Sequence, residues 1–108
     1  MNKYILVMTT VPDEEEGQKI ARQLVNDRLA ACVTISAASK SYYWWQGKIS
    51  EEKENILFIK TQDSLFLELK KKLLKIHPYD VPEIIALPIL KGFKKYLDWI
   101  TEETDVGV

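Results

Sequence analysis

Ser41-Tyr42-Tyr43-Trp44-Trp45-Gln46-Gly47-Lys48-Ile49 decides the fold. Four consecutive aromatics run into a glycine, with extended segments on both sides, Ala30 to Trp45 before it and Ile49 to Thr61 after it. Glycine supplies the backbone freedom a tight reversal needs, so Gln46-Gly47-Lys48 reads as the turn of a long β-hairpin. Everything else in the chain arranges itself around that hairpin.

Upstream, Tyr4 to Met8 is an apolar run of strand length, and Pro12 follows too soon for a helix. Asp13 followed by Glu16 signals a capped helix start, with Glu14, Glu15 and Glu16 favouring the positive end of its dipole. Ile20, Ala21, Leu24 and Val25 then recur at helical spacing. Downstream of the hairpin, Asp63 is expected to cap a second helix whose stripe is Leu65, Phe66, Leu69, Leu73 and Ile76 and which stops at Pro78. Glu83 to Ile89 supplies a last strand, and Gly92 precedes a short helix containing Tyr96, Leu97 and Ile100. The order β-α-β-β-α-β-α predicts an α+β ferredoxin-like βαββαβ sandwich with an additional C-terminal helix. A single domain over residues 1–108 is expected.

Composition narrows function. With 46% hydrophobic and 29% charged residues the chain is ordinarily globular. A formal charge of −1 offers no cationic excess for sequence-independent binding to nucleic-acid phosphates. Cys32 and His77 are the only residues of their kinds, so neither an intrachain disulfide nor a Cys/His zinc cage can form within one chain. The N-terminal apolar run is too short to span a membrane and lacks a signal-peptide pattern, so a cytoplasmic protein with no membrane partner is expected.

Side chains alternate along a strand, so Tyr4, Leu6 and Met8 face one way and Ile5 and Val7 the other. Both sets are apolar, as are both faces of Ile56 to Ile59 and of Ile84 to Leu87. The two main helices shield only one face. Burying several hundred Å² at about 25 cal/mol per Å² gives roughly 10 kcal/mol before association costs, so self-association is predicted. Tyr42, Tyr43, Trp44 and Trp45 are its expected anchors, with packing inside one chain the competing reading. An aromatic platform for single-stranded RNA is disfavoured by the charge balance and the missing glycine-aromatic strand motif.

Several segments resemble the CutA family of divalent-cation tolerance proteins: Thr9-Thr10-Val11-Pro12-Asp13, Arg28-Leu29-Ala30-Ala31-Cys32-Val33, Ser41 to Ile49, Ile59-Lys60-Thr61, and His77-Pro78-Tyr79-Asp80-Val81-Pro82-Glu83-Ile84-Ile85. Leu87-Pro88-Ile89 and Tyr96-Leu97-Asp98-Trp99-Ile100 complete the set in family order. The resemblance implies a ferredoxin-like protomer in a homotrimer similar in architecture to PII signalling proteins. It also implies a non-enzymatic role in tolerance of copper and other divalent cations, with no cofactor required. Some family members carry Cys where Thr9 stands and His where Ile76 stands, so two ligand positions have no counterpart here.

His77 and Asp80 are the candidate ligands for Cu(II) or another divalent cation, because imidazole and carboxylate both suit such ions. The competing reading has His77 closing the second helix and bonding locally before Pro78. Cys32 reads as a packed thiol with no basic neighbour to activate it. Tyr43, Trp45, Glu54, Lys60 and Tyr79 are the candidate lining of an intersubunit cleft, where Lys60 would hold a small anionic or mixed-charge ligand. A Glu54–Lys60 salt bridge that only orders the interface is the alternative. Two further classes therefore accompany cation tolerance: a PII-like small-ligand sensor and a structural interaction scaffold.

Overall fold

The computed structural model describes residues 3–104, so the first two and last four residues of the domain expected over 1–108 lie outside the described residues. The elements are β1 (Tyr4–Val11), α1 (Glu14–Asn26), β2 (Cys32–Ile35), β3 (Ser39–Trp45), β4 (Lys48–Gln62), a 3-10 turn (Asp63–Leu65), α2 (Phe66–Ile76), β5 (Ile85–Pro88) and α3 (Lys94–Thr104). The antiparallel sheet runs β2-β4-β1-β5, and β3 also pairs with β4. This is the ferredoxin-like α+β arrangement predicted above, with α3 as the additional helix.

The expected segment Ala30 to Trp45 is broken. Ile35 pairs with Leu57 and Ser39 with Glu54, so Ser36, Ala37 and Ala38 oppose only Asn55 and Ile56. Three residues against two make a β-bulge between β2 and β3. Polar groups hold it: the Ile56 amide donates to Ser36 Oγ at 2.8 Å, and Asn55 Nδ2 donates to the Ser36 carbonyl at 2.9 Å.

The odd residues of β1, Ile5, Val7, Thr9 and Val11, are buried. With Leu57, Ile59 and Thr61 of β4 they form the face covered by Ile20 and Leu24 of α1 and Leu69 and Leu73 of α2. Asp13 caps α1 as expected, its Oδ1 accepting the Glu16 amide at 2.8 Å. Gly17 lets α1 approach closely: a Cβ there would lie 3.3 Å from both Leu57 and Val11. Asp63 does not cap α2 directly. It opens the intervening 3-10 turn, and no side-chain cap precedes Phe66.

β4 outruns its neighbour. β1 pairs with Asn55–Gln62, whereas Lys48–Glu54 pair, among the described residues, only with β3. The result is a projecting two-stranded ribbon that makes the molecule 46 Å long against 26 and 23 Å in the other directions. Its turn is shorter than expected. Lys48 belongs to β4, and Gln46 (φ 51) and Gly47 (φ 77) alone close a two-residue reversal of type I′ sign.

On the face away from α1 and α2, Leu6, Met8, Ile56 and Phe58 are only half-buried. α3 seals one end, where Tyr4 Oη and Thr101 Oγ1 lie 2.6 Å apart and Gln62 Nε2 donates to Thr104 Oγ1 at 2.8 Å. The rest stays open, and Ile85, Leu87, Leu90 and Phe93 are exposed beside it.

Candidate functional site

A cavity of about 670 Å³ opens where the ribbon leaves the sheet. Pairing places Ser41, Tyr43 and Trp45 of β3 on the same side of the ribbon as Glu52 and Glu54 of β4. The segment between α2 and β5 closes the opposite wall with Pro78, Tyr79, Asp80, Val81 and Glu83. Four of the five residues expected in a cleft thus meet: Tyr43, Trp45, Glu54 and Tyr79.

Lys60 does not join them within this protomer. It lies six residues along β4 from Glu54, about 20 Å at the usual rise per strand residue, and its Nζ sits 4.0 Å from Cys32 Sγ. The Glu54–Lys60 ion pair is accordingly not among those of the described residues. Cys32 in turn is only partly buried and has Lys60 directly opposite it on β4, which corrects the expectation of a thiol without a basic neighbour.

Glu54 is the unusual member. Its residue exposure is only 7%, and Tyr79 Oη donates to its Oε2 at 2.7 Å. Burial first, then that bond and the Glu54 charge, push the Tyr79 phenol far above its ordinary range, so it remains a donor. Tyr43 is also raised, by burial and by the charges of Glu52 and Glu54. With Asp80 and Glu83 in the same wall, the cleft is acidic, and among the described residues neither Lys nor Arg lines it. Within one protomer these walls favour a cation over an anion.

His77 ends α2, its amide donating to the Leu73 carbonyl at 2.8 Å. Its ring reaches well beyond its own loop, with Nε2 3.0 Å from Thr9 Oγ1 and 2.9 Å from the Thr10 carbonyl. A carbonyl only accepts, so Nε2 carries the proton and Nδ1 accepts the Tyr79 amide at 3.1 Å. Both nitrogens of a neutral imidazole are therefore engaged, and Asp80 is exposed nearby. Among the described residues no three His, Cys, Asp or Glu side chains converge as a metal cage.

Burial lowers the His77 pKa below its ordinary 6.5, outweighing the opposing effects of the Thr10 bond and the charges of Glu16 and Glu54. The unfolded chain then binds the proton more readily than the folded one. Its contribution to stability is complete above the unfolded pKa and is lost as pH falls from about 6.5 through the lower folded value. Thermal unfolding across pH 5 to 8 should show the midpoint falling on the acid side, with that part of the slope missing in His77→Gln. An identical slope in the variant would show that the ring does not titrate in this way.

Residues 5–103 match the family model described as CutA1 divalent ion tolerance protein. The chain belongs to the CutA1 family. A divalent-cation tolerance protein CutA from Thermus thermophilus is 48% identical over 99 residues, covering 92% of this chain and 96% of that one. Its counterpart of the same name from Pyrococcus horikoshii is 42% identical over 100 residues, covering 93% and 97%. The crystal structure of CutA1 from Oryza sativa matches with a TM-score of 0.94 at 42% identity, covering 98% of this chain and 97% of its own.

Within this CutA1 chain, Ser41 and Glu83 of the cleft escaped the sequence reading. Ser41 was accessible to it, because a two-residue period puts it on the side of Tyr43 and Trp45. Glu83 was not: the strand expected over Glu83 to Ile89 spans only Ile85–Pro88, which leaves Glu83 in the loop between α2 and β5.

Proposed function

We propose that this chain is a non-enzymatic divalent-cation tolerance protein that works as a homotrimer in the cytoplasm and receives Cu(II) or a similar ion at Asp80 and His77. The match over residues 5–103 to proteins of that name carries the reading. Geometry supplies two supports. Trp44 is 72% exposed and Ile49 65% exposed, directly opposite each other on the ribbon, which suits burial against other copies. Asp80 lies in an acidic wall, three residues from the one imidazole.

Among the described residues no preassembled cage awaits the ion, so binding should be loose. Asp80 makes first contact, and His77 joins only by giving up the Tyr79 amide at Nδ1. Calorimetric titration of Cu(II) against a competing chelator should give weak, saturable binding that falls further in His77→Ala. Equal affinity in the two proteins removes His77 from the site.

A second reading, a small-ligand sensor, is favoured by the 670 Å³ cleft, which falls within the ordinary range of ligand pockets.

A further inference from the structure

α2 carries two stripes, and the fold uses one. Phe66, Leu69, Leu73 and Ile76 turn inward, with Leu69 and Leu73 fully buried in the core. Leu67, Lys70, Lys71, Leu74 and Lys75 recur at the spacing of a second face on the other side. Leu67 is 68% exposed and Leu74 56% exposed, one heptad and about 10.5 Å apart along the axis. We propose that this outer face of α2 is a docking surface for an acidic amphipathic helix of a partner protein.

Charge sets the sign of the partner. Lys72, on the flank, pairs with Asp27 at 3.1 Å, whereas among the described residues Lys70, Lys71 and Lys75 enter no ion pair. Glu68 is the only acid of the helix, and it pairs with none of them. A row of uncompensated cations on a chain of net charge −1 attracts carboxylates. The leucines set the rest. A nucleic-acid backbone would use the lysines alone and gain nothing from covering Leu67 and Leu74. A helix lying in a membrane surface buries a broad apolar face, and the broad apolar face of α2 already packs into the core. Two apolar anchors one heptad apart, with cations between and beside them, match a helix that presents leucine-like side chains at the same spacing flanked by Glu or Asp. Assembly leaves the face free. α2 covers one side of the sheet, and the half-buried Leu6, Met8, Ile56 and Phe58, which the proposed trimer covers, lie on the other.

The assembled, isotope-labelled protein should be titrated with a synthetic peptide of two heptads bearing leucine at a and d and glutamate elsewhere. Two controls replace its leucines by alanine or its glutamates by lysine. The acidic leucine peptide should saturate, bind about tenfold or more tightly than either control, and shift amide signals concentrated between Leu67 and Lys75. Lys71→Gln with Lys75→Gln, both at exposed positions, should lower that affinity about tenfold. Leu67→Gln with Leu74→Gln, also exposed, should erase the preference for leucine over alanine. Absence of saturation, shifts centred away from α2, equal binding of the leucine and alanine peptides, or undiminished affinity in both variants would overturn the proposal. So would tighter binding to phosphatidylserine vesicles or to a duplex oligonucleotide, lost in the lysine variant, which would assign the face to a membrane or a nucleic acid. Association of assembled proteins with one another, lost in the leucine variant, would assign it to further copies of this chain.

Discussion

Replacing Trp44 and Ile49 together by threonine should convert the proposed trimer to monomers. Sedimentation equilibrium should give the parent about three times the 12.5 kDa chain mass and the variant a single chain mass. The two residues sit directly opposite on β3 and β4, on the ribbon face turned away from Glu54, Tyr43 and Trp45. Burying a tryptophan removes roughly 150–250 Å² from water, about 4–6 kcal/mol at 25 cal/mol per Å². Isoleucine adds about 2 kcal/mol more, before association costs. Threonine favours strands, so the ribbon persists while its apolar contact is lost. A variant that still sediments as three chains would exclude this ribbon face as the contact, and a parent that is monomeric and fully stable would remove the trimer altogether.

Leu57→Ala should destabilise the folded chain by about 3 kcal/mol or more, within the range for emptying a filled core site. Leu57 has no exposed surface, and its Cδ2 fills the space beside Gly17, which has no side chain of its own to occupy the gap once that atom is removed. Phe58, one residue on, points to the opposite face and is half-buried. Its replacement by alanine should cost less in dilute monomer and more in the assembled protein. Denaturant unfolding at two protein concentrations checks both. Equal, concentration-independent losses at the two positions would contradict the division of the sheet into a sealed and an open side.

That division was legible in the residues. The alternation Ile5, Val7 against Leu6, Met8 and the run Ile56 to Ile59 contained it, because strand periodicity survives whatever the partners are. Gly47 marked the reversal for an equally local reason. The bulge was not legible, since it is a mismatch of three residues against two across separate strands, and neither strand records it alone. Asp63 failed differently: a good capping residue was present, but the chain inserts a 3-10 turn before α2. For the site, the expectation that the hairpin end and the loop after the second helix line one intersubunit cleft picked out Tyr43, Trp45, Glu54 and Tyr79. Lys60 was grouped with them as part of a cleft between subunits; within one protomer it lies six strand residues from Glu54, so strand spacing alone does not bring the two together.

The Ser36–Ala38 bulge reaches further than its size suggests. In β2 the side chains sharing a side with Lys60 and Phe58 are even-numbered, Cys32 and Thr34. Beyond the extra residue, those sharing a side with Glu52 and Glu54 are odd-numbered, Ser41 and Tyr43. One surplus peptide unit therefore inverts the parity of the whole ribbon. Excising Ala37 would leave Tyr43 and Trp45 on the side of Glu54, because the Gln46-Gly47 turn fixes Trp45 opposite Lys48, and would let β2 run into β3 as one unbroken ladder against β4.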